Sequence, residues 1–435
     1  MNKAYLYLCY FTLGWCLSFT GIAVQFSMID RLHFSPVTMT MSMGIISSPW
    51  CIKPLYGYIS DKYGIFDWGK RRPYISITGF LCSFLYIHMR HFIDRKDAFI
   101  LSLTMISALL CVCDVCADSI IVAIAKKEAV KGDIQTRCWT ARASGTLCGA
   151  VFSGISYKTF GSIGTFNLCA ICPLIMSILV WNLPKTPSPK PDTMLFQKLV
   201  ANVKEQKSLA FIFLIVMIAP DYGELYKYFL IKTLHFNSYN LTWMSISGSL
   251  SFLLSTITYN RLLSKMNSQQ VMFIGIVGGS VFRLTQLLVV TDILPYFWLV
   301  LCDGVAEMFF DQLIVMPLIV QAAQSCNKGV EGTLYALLMS ICNFSNVLGN
   351  WLGGIIGLFF GVTENSFKNL AWVMIIGIIC NFYIQMFIYR KIVSVFEMEE
   401  EVSLDHLDHM LEPPDPEDCC KQVTLESQVH NLDRT

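Results

Sequence analysis

About twelve apolar segments recur along this chain, each close to the roughly twenty residues that a helix needs to cross the hydrocarbon core of a membrane. Of the 435 residues, 54% are hydrophobic and only 14% are charged, which leaves too little polar surface for soluble domains. We therefore predict an all-α membrane protein with about twelve transmembrane helices. The predicted spans are 4–29, 35–60, 74–89, 98–125, 139–160, 163–183, 208–231, 241–263, 270–290, 295–321, 330–360 and 369–389.

A polar connection at residues 184–207 separates these spans into two groups of six. It holds four prolines, which interrupt a helix: Pro184, Pro187, Pro189 and Pro191. We predict two six-helix halves, residues 1–183 and 208–392, joined by this cytosolic linker and followed by an acidic disordered tail, residues 393–435. Lysine and arginine crowd the connections on one side of the spans, which predicts that both termini face the cytosol.

A short pattern recurs in the fourth and tenth spans. Residues 113–118 read Cys-Asp-Val-Cys-Ala-Asp, and residues 302–307, which lie 189 positions later, read Cys-Asp-Gly-Val-Ala-Glu. The triplet Gly-Thr-Leu at 145–147 returns at 332–334, an offset of 187. Two matches at nearly the same offset predict structural repeats related by an axis along the membrane normal.

Charged residues inside the spans carry the functional prediction, because each costs at least a few kcal/mol at the bilayer centre unless it faces water or a partner. The fourth span holds Asp114 and Asp118, which are four residues apart and so share one helix face. The other candidates are the acidic stripe Asp303, Glu307 and Asp311, the seventh-span residues Asp221, Glu224 and Lys227, and the cations Lys53, Arg142 and Arg283. Such residues either form buried ion pairs or line a water-filled transport path, and for the set we favour the path.

The acidic residues also predict a coupling ion. Burial and a neighbouring like charge both favour the protonated form of a carboxyl group. One acid of either stripe could therefore carry a proton near neutral pH, and we predict that its protonation is linked to substrate binding.

The connection after the second span contains the motif G-x-x-x-D-[RK]-x-G, formed by Gly57, Asp61, Lys62 and Gly64, and then the basic triplet Lys70, Arg71 and Arg72. A small residue lets helices approach closely, and Asp61 can cap a helix or pair with a cation, so we predict a cytosolic gate loop here. The motif resembles that of the major facilitator superfamily. The longer block at residues 49–74 more closely resembles the folate-biopterin transporter family, and an apicomplexan member is one interpretation.

The resemblance extends from residue 50 to about residue 338, with further matches at Asp114 and Asp118, at Arg142, Gly145 and Gly149, and at residues 331–337. It implies the major facilitator fold, with the first, fourth, seventh and tenth helices around a central cavity, and alternating access between the halves. It also implies proton symport of folates or pterins. Folate carboxylates would then meet Lys53, Arg142 or Arg283, and the pterin ring would stack on Trp15, Tyr222 or Phe309.

Other functional classes are disfavoured or left open. No Walker loop, redox-cofactor fingerprint or catalytic motif occurs, so we predict no enzyme, no cofactor and no metal site. No extended basic face with interleaved aromatics indicates nucleic acid. The alternatives are a carrier of another small organic anion or vitamin, such as pantothenate, and a sensor with a carrier fold that does not transport. We expect a monomer in the lipid bilayer of the plasma membrane rather than of an organelle.

Overall fold

Helices form nearly all of the secondary structure in the part of this protein that the structure describes. The computed structural model describes residues 4–65, 69, 71–125, 133–183, 219–263, 266–324, 331–387 and 389–390. Among these residues, an isolated bridge between Thr363 and Ser366 is the one β pairing. The all-α prediction is confirmed for the described residues. The predicted linker, residues 184–207, and the predicted tail, residues 393–435, lie outside them.

The described residues form fourteen α-helices, named in chain order. They are α1 (Ala4–Phe19), α2 (Gly21–Phe26), α3 (Pro36–Ser47), α4 (Lys53–Lys62), α5 (Arg72–His88), α6 (Lys96–Ala125), α7 (Asp133–Cys169), α8 (Ile171–Leu179), α9 (Gly223–Lys232), α10 (Ser238–Thr258), α11 (Ser268–Val290), α12 (Phe297–Gln324), α13 (Glu331–Phe359) and α14 (Leu370–Phe387). Short π-helical turns extend α2 and α10, and a 3₁₀ turn, Ser48–Ile52, joins α3 to α4. The second predicted span is therefore built from two helices and a tighter turn.

Five helical stretches among the described residues are long and apolar enough to cross a membrane. They are Ala4–Arg31, Lys96–Ile121, Arg137–Asn182, Ser268–Val290 and Leu370–Phe387. Large apolar side chains such as Leu101, Ile155 and Leu284 are exposed along them, as expected for helices that face lipid. Twelve spans in two halves remain a prediction.

Local sequence explains where some helices begin and bend. Ser35 caps α3 by accepting a hydrogen bond from the backbone N–H of Thr38 at 3.2 Å, and Pro36 occupies the first helical position, where its missing N–H is not needed. Within α7, Gly161 adopts a φ of 67°, which only glycine adopts without strain, and it kinks the helix. The kink lies between the predicted fifth and sixth spans.

Helices α1 and α7 pack backbone against backbone through glycines. A Cβ atom on Gly14 would lie 2.1 Å from the Arg142 carbonyl oxygen, and one on Gly145 would lie 2.0 Å from the Phe11 carbonyl oxygen. A Cβ on Gly149 would likewise lie 2.9 Å from the backbone of α1. Small residues at helix contacts allow this close approach in membranes. The glycines that follow Arg142 therefore allow α7 to pack closely against α1, and this packing positions Arg142.

We expect Gly145→Ala to destabilise the protein, because the added Cβ would overlap the Phe11 carbonyl group and push α1 and α7 apart. Gly248→Ala is the matched control, since Gly248 lies inside α10 and an added Cβ there meets no atom within 4 Å. That control should be neutral or gain about 0.5–1 kcal/mol from better helix propensity. The measurement is the unfolding temperature of each purified variant in detergent. Equal unfolding temperatures for the two variants would contradict the close packing of α1 against α7.

Helix α3 packs along α13 and so joins residues far apart in the chain. A Cβ on Gly44 would lie 2.6 Å from Nε1 of Trp351, and that Nε1 donates a hydrogen bond to the Met41 carbonyl oxygen at 3.3 Å. Farther along, Asn343 Nδ2 donates to the Trp50 carbonyl oxygen at 3.2 Å. The contact therefore extends into the 3₁₀ turn that precedes Lys53, the first residue of α4.

Candidate functional site

Asp114 lies at the centre of a buried group of charges, here called the Asp114 cluster and defined as Lys53, Asp114, Asp118 and Arg142. Lys53 Nζ lies 2.6 Å from Asp114 Oδ2, and Arg142 Nη1 lies 2.5 Å from Asp114 Oδ1. Asp114 is 1% exposed. A carboxylate buried to this extent stays ionised only with such partners. Helices α4, α6 and α7 thus meet at one carboxylate.

Two tryptophans contact the cations of this cluster. Lys53 Nζ lies 4.8 Å from the centroid of the Trp50 ring, and the guanidinium carbon of Arg142 lies 6.0 Å from Trp50 and 5.4 Å from Trp139. Trp50 Nε1 donates a hydrogen bond to Ser107 Oγ at 3.0 Å, which fixes the orientation of its ring. Cation–π contacts in desolvated sites are worth up to about 2 kcal/mol. The aromatic faces therefore help to hold both cations away from water.

We expect Trp50→Leu to lower the stability of the protein by about 0.5–2 kcal/mol, because it removes the ring face from two buried cations. Trp50→Phe keeps a ring face and loses the hydrogen bond to Ser107, so it should retain most of the stability. Unfolding temperatures of the two variants separate these contributions. A phenylalanine variant that is no more stable than the leucine variant would contradict a cation–π role.

Asp118 lies one turn beyond Asp114 on α6 and accepts a hydrogen bond from the fully buried Tyr10 Oη of α1. Its direct partner among the described contacts is therefore a neutral phenol, whereas Asp114 has two cations. With all groups ionised, two carboxylates and two cations give a net charge of zero. Protonation of one carboxyl group raises the net charge to +1. Of the two carboxyl groups, Asp118 is the one whose protonation would break no ion pair among the described contacts.

A second group of charges lies between α11 and α12. Arg283 Nε donates to Glu307 Oε1 at 3.0 Å, and its Nη2 lies 2.6 Å from both carboxylate oxygens of Asp311. Gln286 Nε2 donates to Glu307 Oε2 at 2.7 Å, and Tyr222 Oη donates to Gln286 Oε1 at 3.2 Å. One guanidinium group therefore serves two carboxylates. We call Arg283, Gln286, Asp303, Glu307 and Asp311 the Arg283 cluster.

Asp303 is the carboxylate of the Arg283 cluster that lacks a cation among the described ion pairs. Its Oδ1 accepts a hydrogen bond from Thr285 Oγ1 at 2.7 Å, and the residue is 2% exposed. Its Oδ2 has no hydrogen-bond partner within the described part of the chain. Three carboxylates and one guanidinium group give this cluster a net charge of −2 when all are ionised. The two clusters therefore differ in charge, and an anion is disfavoured at the second.

The charged residues predicted in the seventh span, Asp221, Glu224 and Lys227, make no direct hydrogen bond to either cluster within the described regions. Asp221 Oδ1 accepts a hydrogen bond from the backbone N–H of Gly223 at 2.7 Å and so satisfies the first amide of α9. Lys227 Nζ lies 2.8 Å from Glu224 Oε1, one turn away on the same helix. These contacts fit the alternative of a structural ion pair and a helix cap, and a place on a transport path remains a prediction for Asp221 and Glu224.

The predicted gate loop is helical at its start, because α4 includes Gly57 and continues to Lys62. The predicted second span, 35–60, also includes Gly57, and the helix continues two residues beyond its predicted end. Arg71 Nη1 donates to the Ser119 carbonyl oxygen at 2.6 Å, which ties the start of α5 to α6, and Arg72 is the first residue of α5. The side chains of Asp61 and Lys70 lie outside the described residues.

The aromatic residues predicted to stack on a ring have partners within the protein. Trp15 stacks on Phe19 with ring centroids 4.9 Å apart, and Phe309 meets Phe310 edge to face at 5.5 Å. Tyr222 is engaged with Gln286 through its hydroxyl group. These contacts give the three side chains a role in packing, and ligand stacking by them remains a prediction.

Comparison with known proteins gives the family. The sequence model of the BT1 family matches residues 14–405, most of the chain. This chain belongs to the BT1 family. Among the relatives of this BT1 protein is the folate-biopterin transporter of Synechocystis sp., 29% identical over 84% of this chain and 77% of the relative. Another is folate transporter 1 of Plasmodium falciparum, 24% identical over 85% and 75% of the two chains.

Solved structures show the same fold at low identity. The crystal structure of a D-xylose-proton symporter covers 89% of this BT1 protein and 96% of its own chain, with a TM-score of 0.68 and 13% identity. The nucleoside transporter NupG covers 91% and 99%, with a TM-score of 0.66 and 16% identity. The predicted family is confirmed, and the fold is of the major facilitator type. The comparisons support a multi-pass membrane transporter rather than an enzyme, and an apicomplexan origin remains a prediction.

Proposed function

We propose that this BT1 protein is a secondary active transporter of folates and pterins, coupled to protons and working by alternating access. The observation that carries the proposal is the buried Asp114 cluster, where two cations and two carboxyl groups share one site. Relatives named as folate and folate-biopterin transporters support the substrate class. A proton symporter with the same fold supports the coupling ion.

The charge of the Asp114 cluster gives a physical reason for coupling. A folate carries anionic glutamate carboxylates, which a neutral cluster attracts weakly. Protonation of Asp118 raises the net charge from zero to +1, so Lys53 and Arg142 can then bind a substrate carboxylate with Asp114 still paired. By linkage, a proton that raises the affinity for folate is itself bound more tightly when folate is present. Proton and substrate therefore enter together.

Alternating access would break contacts that join residues 30–34 to residues 228–232 in this structure. Tyr228 Oη donates to the Phe34 carbonyl oxygen at 2.8 Å, and Lys232 Nζ lies 3.2 Å from Asp30 Oδ1. These pairs lie next to the contact between α3 and α13. Opening at this end would break them, while the basic segment at Lys70, Arg71 and Arg72 would latch the cytosolic end.

The second cluster and the acids of the seventh span also have a place in this transport path. The Arg283 cluster faces the substrate from the later half, and Asp221 and Glu224 belong to the path between the halves. The protein acts as a monomer in the plasma membrane, with both termini in the cytosol. No residue of the chain forms a covalent bond with the substrate, because transport requires only binding and release.

Counterflow in sealed proteoliposomes tests the substrate and separates a carrier from a sensor. Vesicles loaded with unlabelled folic acid should accumulate external radiolabelled folic acid, and protein-free vesicles serve as the control. Exchange of pantothenate but not folate would favour the alternative vitamin carrier. Saturable folate binding without exchange would indicate a sensor and would overturn the transport proposal.

A further inference from the structure

Two buried polar groups near the Arg283 cluster have no hydrogen-bond partner among the described residues. One is Oδ2 of Asp303, and the other is the hydroxyl group of Tyr226, a residue of α9 that is 6% exposed. Tyr222, the residue directly before α9, lies one turn before Tyr226 and donates a hydrogen bond to Gln286 of α11. Asp303 accepts a hydrogen bond from Thr285, the residue before Gln286. Both groups therefore lie beside the same turn of α11, and neither is hydrogen-bonded to the other. A buried polar group without a hydrogen bond is unfavourable, and a ligand that bonds to both groups would remove this cost.

The other acids of the cluster are already engaged. Both oxygens of Glu307 accept hydrogen bonds, one from Arg283 and one from Gln286. Both oxygens of Asp311 contact the Arg283 guanidinium group. Within the described part of the chain, Asp303 is therefore the carboxylate of this cluster that has an oxygen without a hydrogen-bond partner. Its Oδ1 also keeps a second lone pair beyond the bond from Thr285.

The open groups have a definite donor and acceptor order. Tyr226 offers an O–H donor, and the Asp303 carboxylate offers two adjacent acceptors. The complementary ligand edge is planar, with one acceptor followed by two donors. The 2-amino-4-oxo edge of a pterin has this order, namely the 4-oxo group, the ring N3–H and the 2-amino group. The negative charge of the cluster also disfavours the anionic end of a folate here and leaves that end to the Asp114 cluster.

We propose that Asp303 and Tyr226 read the 2-amino-4-oxo edge of the pterin ring, with Asp303 accepting from N3–H and the 2-amino group and Tyr226 donating to the 4-oxo oxygen. This inference rests on the proposed function and deepens it, because it assigns the ring and the carboxylates of one substrate to opposite clusters. Asp303 is then a specificity-determining residue rather than a structural or proton-carrying acid.

Competition in the folate counterflow assay tests the assignment. The probes are pterin and lumazine, which share the pteridine ring and the 4-oxo group and differ in the 2-substituent, an amino donor in one and a carbonyl acceptor in the other. In wild-type protein, pterin should inhibit folate exchange at a concentration about tenfold or more lower than lumazine does. The reason is that the 2-carbonyl group of lumazine would place an acceptor against the buried Asp303 carboxylate, which is also an acceptor. Asp303→Asn presents an amide donor to the ring, so the inhibitory concentrations of lumazine and pterin should come to within about threefold of each other.

Two further variants complete the design. Tyr226→Phe is nearly isosteric and should weaken inhibition by pterin and by lumazine by similar factors, because both compounds keep the 4-oxo group. The ratio of their inhibitory concentrations should therefore stay unchanged. Asp292→Asn makes the same chemical change at an exposed position after α11 and should alter neither value. Where Asp303→Asn exchanges no folate, equilibrium binding of pterin and lumazine to the purified variant gives the ratio.

The outcomes separate this inference from the proposed function. Wild-type protein that exchanges folate but responds equally to pterin and lumazine would overturn the assignment and leave folate transport intact. An Asp303→Asn variant that keeps the full ratio would also overturn it, since the edge is then read elsewhere. Wild-type protein without folate exchange would overturn the proposed function, and the assignment with it.

Discussion

Asp114→Asn should abolish transport and strongly destabilise the protein. Asp114 balances both Lys53 and Arg142, at 2.6 and 2.5 Å, and it is almost fully buried. Asparagine keeps the shape of the side chain and removes its charge. Lys53 and Arg142 would then lose their directly paired carboxylate, and the cluster would carry a net charge of +1 with Asp118 ionised. Removing one partner of a buried ion pair costs about 3–5 kcal/mol. We expect no measurable folate counterflow and a large fall in unfolding temperature.

Asp97→Asn is the matched control for this experiment. It makes the same change on the same helix, α6, but the Asp97 side chain is 74% exposed and pairs with an equally exposed Arg95. Exposed ion pairs contribute little, so the control should unfold and transport as wild type does. An Asp114→Asn variant that behaves like the control would show that the Asp114 cluster neither supports the fold nor takes part in transport.

Arg283→Met should have the second largest effect. The guanidinium group is the cation that serves both Glu307 and Asp311, and the Arg283 side chain is 8% exposed. Methionine fills similar volume but leaves two carboxylates close together without a cation. We expect loss of about 3–5 kcal/mol, less where the carboxyl groups become protonated, and loss of substrate exchange. Unfolding temperature and counterflow measure the two effects separately.

The second variant has its own control and a rescue test. Arg95→Met removes an arginine from an exposed ion pair and should be nearly neutral. Adding Glu307→Gln to Arg283→Met removes one of the stranded charges and should recover part of the lost stability. If the double variant is no more stable than Arg283→Met alone, repulsion between the stranded carboxylates is not the cause of the instability.

The sequence predicted the helical class, the family and the acids that the structure finds buried. Long apolar segments leave few alternatives to membrane-spanning helices. An acidic residue within such a helix is stable only when it contacts a polar or charged partner or water. The spacing of Asp114 and Asp118 places them on one helix face, as the structure shows. The break at Gly161 was also predictable in position, since the apolar pattern pauses there.

The pairing of charges could not be predicted, because it depends on which helices are neighbours. The repeat aligns Asp114 with Asp303, yet Asp114 binds two cations and Asp303 binds the hydroxyl group of Thr285. Gln286 carried a weak signal, three residues after Arg283 on one helix face. Tyr10 carried none, since a tyrosine in an apolar helix is common and nothing local shows that it meets Asp118.

The most direct test of the account is folate uptake by proteoliposomes under an imposed pH gradient, acid outside, in wild-type and Asp118→Asn protein. Because protonation of Asp118 raises the charge of its cluster from zero to +1, wild-type vesicles should accumulate folate above the external concentration, and more so as the external pH falls. Asp118→Asn cannot take up this proton and should exchange folate without accumulating it. Wild-type uptake that ignores the gradient, or equal accumulation by the variant, would contradict proton coupling through the Asp114 cluster.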